Sequence, residues 1–559
     1  MSPAAAAPYE VLEIRLGPAP ADASGTGVDV VFTEPAGRER RVPAFVTGGE
    51  WRVRYASDQL GTHSYRACPA GVDAADGPEL PDPGEVEIAG AGGPGALGQH
   101  GPLQVAADQR HLEHADGTPF LWLADTWWNG LVDRLSDKEF RELAAMRAQQ
   151  GFSVVQIVAG LYPEMAPFAP EGRSASGWAW HEDFTAPNPD WFDEADRRVL
   201  TLLEHDLVPC IFGSWAYYLQ FMDVEQTSRH WRELVARWGA YPVVWCLAGE
   251  PPLVLPAELL AGTTDATLTA ADAVRMIQDE AAIADQLARL NEVARAVRRA
   301  EPFGRPITIH SYPATCPWDY LDDESVVDFW LLQTGHSGQN SLEPSVNAVH
   351  EAVEHRPAKP VINGEVCYEG ICGSSWHETQ RFLFWSHLLS GAAGHTYGAQ
   401  GLWGFNTAEY PNGLRGRWGE LDWPEAAELP GAAHLGTGRR LLLDLPWHEF
   451  TAHPEWIEPH QDADDRLRPY AAGIPDGVRV IYFPVAAFMK QRLGSLRLPD
   501  LGRGAWQANY VNPRTGQAGD PFVVEPDSDG VATVRGATPL AHFALPSAED
   551  WLLVLRPAR

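Results

Sequence analysis

Residues 120–158 read FLWLADTWWNGLVDRLSDKEFRELAAMRAQQGFSVVQIV and decide the fold class. Two apolar runs of strand length flank a segment, residues 136–150, in which apolar side chains recur at helical intervals. Ser136 followed by Glu139 is the capping-box pattern that starts many helices. A strand, a helix and a second strand in this order predict a β–α–β unit with parallel strands.

The same alternation of apolar runs and helical segments continues to about residue 405. Residues 278–300 are one of these helical segments. Eight strands that alternate with helices predict a (β/α)₈ TIM barrel, and a span of roughly 280 residues fits that fold. The eight strand candidates are residues 119–128, 152–160, 207–218, 243–250, 306–313, 327–336, 359–370 and 393–405.

Both flanks of the predicted barrel have a different pattern. Residues 9–87 contain short alternating runs separated by Gly, Pro and Asp, which predicts a small β-sandwich. The glycine-rich residues 89–102 are typical of a linker. Short strands return after about residue 435 and predict a second sandwich. We therefore predict three domains, a β-sandwich at 1–95, the barrel at 96–435 and a β-sandwich at 436–559.

Composition limits the partners and the compartment. The 559 residues include 75 acidic and 42 basic ones, a formal charge of −33 that repels nucleic acid and anionic membrane surfaces. The N-terminus lacks the basic start and apolar core of a secretory signal, and no run of about 18 apolar residues could span a bilayer. Six scattered cysteines are typical of a reducing environment. We expect a cytoplasmic protein that acts on a small carbohydrate, with a homo-oligomer left open.

Two glutamates are the strongest functional signal. Glu250 closes VVWCLAGE (243–250) and Glu365 closes PVINGE (360–365), which are the fourth and seventh predicted strands. The C-terminal ends of barrel strands share one face, where active sites of this fold lie. Two carboxyl groups that meet there can perform the acid/base and nucleophilic steps of glycoside hydrolysis. The alternative is that each glutamate pairs with an arginine at the rim.

Aromatic and polar side chains occur at the same strand ends. Sugar rings present apolar C–H faces that stack on tryptophan and tyrosine, while polar groups hydrogen bond their hydroxyls. Core packing is the alternative for any single aromatic residue and for His310. The predicted substrate-binding residues are Asp125, Trp127, Trp128, Tyr162, Trp215, Tyr217, His310, Gln333, His336, Tyr368 and Trp403.

We expect no metal and no organic cofactor. Cys367, Cys372 and His377 lie close in sequence, but the two cysteines lack the matching second pair of a zinc site. The glycine-rich linker does not lead from a strand into a helix, so it is not a dinucleotide-binding loop. The chain also lacks the G-x-S-x-G motif of an esterase nucleophile.

Four segments resemble the apiosidase-like glycoside hydrolases, a barrel family similar to the large clan whose acid/base and nucleophile end strands four and seven. These are residues 111–158, VVWCLAGE (243–250), DFWLLQTGH (328–336) and KPVINGEVCYEG (359–370). The resemblance implies that Glu365 is the nucleophile and Glu250 the acid/base. The family commonly has an aspartate after two glycines on strand four, whereas this chain has the longer Glu250. The resemblance therefore implies the reaction class more strongly than apiose as the substrate.

The flanking domains also resemble those found with this barrel. Residues 49–67 are similar to the N-terminal sandwich that often precedes it, and residues 510–517 to a C-terminal sandwich often named for collagen binding. We infer no collagen binding from that name.

The sequence therefore predicts a retaining, exo-acting glycosidase for small glycosides or oligosaccharides, furanosides included. Two alternatives remain at this point. An inverting enzyme holds its carboxyl groups about 6.5–9.5 Å apart, against about 5–5.5 Å in a retaining enzyme. A carbohydrate-binding protein without catalysis could use the same scaffold.

Overall fold

The N-terminal domain consists of two β-sheets in the computed structural model, which describes residues 4–20, 27–70, 82–93, 95–255, 279–410, 418–485, 488, 495–535 and 545–558. Its strands are β1 (Ala4–Ala6), β2 (Leu12–Pro18), β3 (Val28–Thr33), β4 (Glu39–Pro43), β5 (Phe45–Thr47), β6 (Glu50–Tyr55), β7 (Gly61–Pro69) and β8 (Gly84–Ile88). They form sheets of order β1-β8-β7-β3-β4 and β2-β6-β5. Val30, Phe32, Val53 and Tyr55 are buried in the core that these strands share. The predicted sandwich is confirmed.

The glycine-rich segment at 89–102 is more ordered than the linker that its composition predicts. It contains helix α1 (Gly95–His100), in which Leu97 is buried and its amide donates to Asp206 Oδ1 at 3.2 Å. One buried leucine and one carboxylate at the first turn hold this short helix against the barrel. A sheet of order β11-β10-β9 follows, with β9 at Leu103–Val105, β10 at Leu112–His114 and β11 at Pro119–Phe120.

Eight parallel strands then close into a barrel, which confirms the predicted fold. Every strand residue is buried, because one face points into the barrel and the other packs against helices. The strands are β12 (Trp122–Trp127), β13 (Val154–Val158), β14 (Val208–Phe212), β15 (Val244–Gly249), β16 (Ile307–His310), β17 (Trp330–Gln333), β18 (Val361–Glu365) and β19 (Gly394–Tyr397).

Helices surround this barrel. They are α2 (Asp137–Gln150), α3 (Pro189–Glu204), α4 (Val224–Trp238), α5 (Glu280–Ala300), α6 (Leu342–Glu354), α7 (His377–Leu388), α8 (Trp423–Ala427) and α9 (Pro430–Leu443). The predicted capping box of α2 is confirmed by reciprocal hydrogen bonds between Ser136 and Glu139. Residue 278 of the predicted helix 278–300 lies outside the described residues. The boundary predicted at 435/436 falls inside α9.

The C-terminal domain is again built from antiparallel strands. They are β20 (Thr451–Ala452), β21 (Tyr470–Gly473), β22 (Arg479–Phe483), β23 (Ser495–Leu498), β24 (Trp506–Val511), β25 (Phe522–Val524), β26 (Ala532–Arg535) and β27 (Trp551–Pro557). They form a sheet of order β20-β21-β22-β27-β24-β25 and a pair, β23-β26. Buried Ile481, Leu496 and Leu553 belong to their common core.

Buried ion pairs join both sandwiches to the outer helices. Arg54 of β6 pairs with Asp196 of α3 at 2.6 Å, and Arg381 of α7 pairs with Asp550 at 2.7 Å. Breaking such a pair leaves an uncompensated buried charge, so the sandwiches are fixed to the barrel wall. Among the described residues, no helix combines the length and the apolar character needed to cross a membrane.

Candidate active site

Glu250 and Glu365 lie at the same end of the barrel. Glu365 is the last residue of β18, and Glu250 directly follows β15. In the strand register, Gly249 pairs with His310 and Gln333 pairs with Glu365. The predicted assignment to the fourth and seventh strands is therefore correct, and four neighbouring strands contribute to one rim.

Three side chains donate hydrogen bonds to the Glu365 carboxylate. His336 Nε2 lies 2.7 Å from Oε1, Gln333 Nε2 lies 3.0 Å from Oε1, and His310 Nε2 lies 3.2 Å from Oε2. The amide of Tyr368 donates to His336 Nδ1 at 3.4 Å, which places the proton of a neutral His336 on the nitrogen that faces Glu365. Strands β16, β17 and β18 thus orient one carboxylate from two sides.

These donors determine the charge of Glu365, which is only 5% exposed. Burial by itself would raise the pKa of this carboxyl, but hydrogen bonds from His310 and His336 outweigh it and lower the pKa to about 2. Glu365 is therefore ionised throughout the neutral and weakly acidic range.

Glu250 is held in a strained backbone conformation beside a tryptophan. Its φ is +49°, a left-handed value that costs a non-glycine residue about 1–3 kcal/mol. The Glu250 amide donates to the His310 carbonyl at 3.2 Å, and Trp215 Nε1 donates to Glu250 Oε2 at 2.9 Å. A Cβ on Gly249 would lie 2.5 Å from the Trp215 ring, so only glycine fits before Glu250.

The proton affinity of Glu250 is shifted in the opposite direction from that of Glu365. Burial, and then the negative charge of Glu365, raise the pKa of Glu250, and the weaker opposing effects include the Trp215 hydrogen bond and the Gln333 amide. The two carboxyl groups are close enough to influence each other. One is kept charged and the other is favoured in its protonated form.

Aromatic rings pack around these carboxyl groups. Trp128 lies edge-on to Trp215, with ring centroids 5.4 Å apart, and to His310 at 5.8 Å. Trp128 Nε1 donates to the Tyr368 hydroxyl at 3.1 Å, and the Tyr368 ring packs 4.6 Å from His336 and 6.2 Å from Trp403. The structure thus brings four of the predicted aromatic residues to the carboxyl pair.

Asp125 and Trp127 lie elsewhere, on the helix-facing side of β12. Asp125 is fully buried, where it pairs with Arg147 of α2 at 2.6 Å and accepts from Trp127 Nε1 at 2.8 Å. Trp127 packs edge-on against Phe140, also on α2. These contacts bind the first strand to its helix and leave both side chains away from the two glutamates.

Tyr162 and Tyr217 also have structural contacts. The Tyr217 hydroxyl lies 2.7 Å from the backbone carbonyl of Tyr162 and 2.8 Å from that of Met165, and these two oxygens share its single proton. Both tyrosines are nearly inaccessible. They connect the segments that follow β13 and β14, and no contact of theirs with either glutamate is seen in the described part of the chain.

Three residues near the site have no simple sequence signal. Trp418, which follows β19, packs 6.2 Å from His336 and donates from Nε1 to Glu164 Oε1 at 3.0 Å. Glu369, four residues after Glu365, is fully buried and accepts from the Tyr397 hydroxyl at 2.6 Å and from the Gly431 amide at 2.9 Å. Burial raises the pKa of Glu369 to about 7 against these hydrogen bonds.

In the part of the chain that the structure describes, the cysteines and other potential metal ligands form no group suited to a metal ion. All six cysteines are free thiols. Within the described ranges, no group of three or more His, Cys, Asp or Glu side chains has an arrangement that could hold a metal ion.

An eight-stranded barrel with one glutamate after strand four and another at the end of strand seven defines a glycoside hydrolase scaffold. The family model "Apiosidase-like, catalytic domain" matches residues 106–449, and the chain belongs to this family of glycoside hydrolases. A domain of unknown function, DUF5060, matches residues 7–68, in the N-terminal sandwich. A comparison with curated proteins found no match.

Solved structures share the fold. A glycoside hydrolase family 5 protein from Bacteroides vulgatus is 16% identical, with a TM-score of 0.64 over 82% of this chain and 94% of its own. Another protein from the same organism, assigned as a glycoside hydrolase, is 16% identical, with a TM-score of 0.68 over 99% of this chain and 100% of its own. A further glycoside hydrolase is 18% identical, with a TM-score of 0.64 over 82% and 97%. At such identities the likeness concerns the fold.

Proposed function

We propose that this protein is a retaining exo-glycosidase that releases a terminal sugar from small glycosides or oligosaccharides, furanosides included. The observation that carries the proposal is the placement of Glu365 and Glu250 at one end of the barrel, where three donors hold Glu365 and the Trp215 indole holds Glu250. The pKa of Glu365 is lowered there and that of Glu250 is raised. Two neighbouring carboxyl groups with separated proton affinities can divide the roles of nucleophile and acid.

In the first step, a carboxylate oxygen of Glu365 attacks the anomeric carbon as the bond to the leaving oxygen breaks. Glu250 transfers its proton to that oxygen, so the aglycone leaves as an alcohol. The product is an ester between Glu365 and the sugar. His310, Gln333 and His336 hold the carboxylate in a fixed orientation before the attack.

In the second step, Glu250 acts as the base. Once Glu365 is esterified, its negative charge no longer raises the pKa of Glu250, so the ionised form of Glu250 becomes more favourable. Glu250 then takes a proton from water, the water oxygen attacks the anomeric carbon, and the Glu365–sugar bond breaks. The free carboxylate and the sugar are regenerated with the original anomeric configuration.

Gln333 links the two carboxyl groups. Its amide donates to Glu365 at 3.0 Å and also lowers the pKa of Glu250. Both carboxyl groups therefore face one site, and the anomer of the first product decides between the retaining and the inverting mechanism.

Buried polar atoms support sugar binding. Among the described residues, His310 Nδ1, Gln333 Oε1 and Trp403 Nε1 are buried without a protein hydrogen-bond partner. Most buried polar groups in native proteins have a partner. Gln333 donates to Glu365 and Trp403 packs against Tyr368, so the unpartnered atoms of Gln333 and Trp403 are candidates to bind sugar hydroxyls, which both donate and accept.

The test is a panel of aryl pyranosides and furanosides hydrolysed by the wild type, Glu365→Gln and Glu354→Gln. We expect at least one substrate to be cleaved, kcat to fall by about 10⁴-fold or more in Glu365→Gln, and Glu354→Gln, a change at an exposed residue at the end of α6, to remain active as the control. NMR of the first-formed sugar should show a retained anomer. Inversion would replace the retaining mechanism, and equal rates in wild type and Glu365→Gln would reject the assignment.

A further inference from the structure

Trp376 differs from every other tryptophan of the chain. All 22 tryptophans lie within the described residues, and Trp376 alone is exposed, with 41% of its surface accessible. An exposed tryptophan contributes less to the stability of the fold than a buried one, because less apolar surface is removed from water. The fold itself does not account for its position.

Trp376 lies on the catalytic face. It directly precedes α7, the helix that follows β18, so it occupies the loop region at the same end of the barrel as Glu365. A Cβ on Gly370 would lie 3.4 Å from the Trp376 ring, and Gly370 is two residues from Tyr368, which packs against the carboxyl pair. The exposed ring is thus connected to the candidate active site through one short segment.

The loop that presents Trp376 is held by many internal bonds. The Cys372 amide donates to the Trp418 carbonyl at 2.7 Å, and Gln380 Nε2 donates to the carbonyls of Cys367 at 2.6 Å and Ser375 at 3.2 Å. Cys372 and Ser375 have φ values of +51° and +60°, conformations that persist only where the surroundings enforce them. The backbone that carries the exposed indole is therefore held in one conformation, which reduces the entropy lost on binding.

The neighbours of Trp376 are polar. His377 and Glu378 follow it, with 42% and 34% of their side chains exposed. A flat aromatic surface beside partly exposed hydrogen-bonding groups matches a neutral sugar ring, which has an apolar C–H face and a hydroxyl rim.

We infer that Trp376 is a second sugar-binding position, outside the catalytic pocket, that binds the leaving-group side of an oligosaccharide. This inference rests on the proposed glycosidase function and extends it. The terminal sugar occupies the pocket at Glu365 and Glu250, while a more distant unit of the same oligosaccharide stacks on Trp376. Substrates with several sugar units then bind more tightly than aryl glycosides with the same terminal sugar.

Binding is tested by calorimetry with cellotetraose, mannotetraose, xylotetraose and β-1,4-galactotetraose on the wild type, Trp376→Ala, Trp376→Phe and Leu443→Ala. Leu443 is the matched control, because it is 44% exposed at the C-terminal end of α9, far along the chain from the strand-seven loop. We expect at least one tetrasaccharide to bind, with affinity about tenfold weaker in Trp376→Ala, near wild type in Leu443→Ala and largely kept in Trp376→Phe.

Kinetics separate this inference from the proposed function. On the aryl glycoside that the panel identifies, Trp376→Ala should keep kcat and KM within about twofold of wild type, because an aryl glycoside lacks the further sugar units that are proposed to stack on the indole. If no tetrasaccharide binds the wild type, or if Trp376→Ala binds as well as wild type, the second position is rejected even where aryl glycosides are hydrolysed. A wild type that hydrolyses none of them rejects the proposed function instead.

Discussion

The ends of strands four and seven carry the same side chain in different surroundings. Glu365 accepts from three donors at the end of β18, where the register with β17 shifts, whereas Glu250 has a left-handed backbone and accepts from the indole of Trp215. The pKa of Glu365 falls to about 2, and that of Glu250 rises. Burial raises the pKa of both carboxyl groups, so it does not separate them. Hydrogen bonds from His310 and His336 lower the pKa of Glu365, and the negative charge of Glu365 adds to the rise in the pKa of Glu250.

This comparison predicts a large and selective defect in Glu250→Gln. A glutamine cannot donate a proton to the leaving oxygen, so kcat/KM for glycosides with alkyl leaving groups should fall about 10²–10⁴-fold. Dinitrophenyl glycosides need little protonation, and their first step should be nearly unaffected. Azide should restore turnover by replacing the base-activated water. Steady-state rates on both substrate types, with and without azide, measure this; equal losses on both would show that Glu250 is not the acid.

A smaller effect is expected when one donor to Glu365 is removed. His336→Phe keeps a ring against Tyr368 but loses the bond to Oε1, so the pKa of Glu365 should rise by about one unit. Glu365 must be ionised, so the acid limb of the pH profile of kcat/KM should move to a higher pH. The alkaline limb should stay unchanged. The pH profile of kcat/KM measures this. A shift on the alkaline side instead would reverse the assigned roles.

The smallest effect is expected on the other carboxyl. Trp215→Phe removes a donor that opposes the raised pKa of Glu250, so that pKa should rise further. Glu250 must be protonated, and the loss of activity at high pH should therefore move to a higher pH. The pH profile of kcat/KM measures this shift. His336→Phe is the control, because it should move only the acid limb of the profile. No movement on the alkaline side would mean that the indole bond does not tune Glu250.

The barrel and its rim could be predicted because apolar segments of strand length alternate with helical segments, and this alternation gives the order of the strands. The direction of side chains within a strand could not. Strands buried on both faces lack polar alternation, so the sequence does not reveal which residues face inward. Trp128 was therefore indistinguishable from Trp127, yet the first joins the carboxyl pair and the second, with Asp125, packs against α2.

Contacts between distant loops were also beyond the sequence. Trp418 and Glu164 are 254 positions apart, and neither lies in a motif. The helix at Gly95–His100 was missed because glycine content indicates a flexible segment, whereas a single buried leucine and the carboxylate of Asp206 suffice to order it. Tertiary contacts outweighed local propensity in both places.

The hydrogen bond from the Gly431 amide to Glu369 has a practical consequence for anyone who wishes to shorten the chain. It ties the start of α9 to the loop that carries Tyr368, and α9 continues to Leu443 along the barrel wall. A truncated protein that stops at residue 435 would retain the hydrogen bond between Gly431 and Glu369 and lose most of α9. An autonomous catalytic fragment needs α9 whole and a replacement for the ionic contact that Asp550 makes with Arg381.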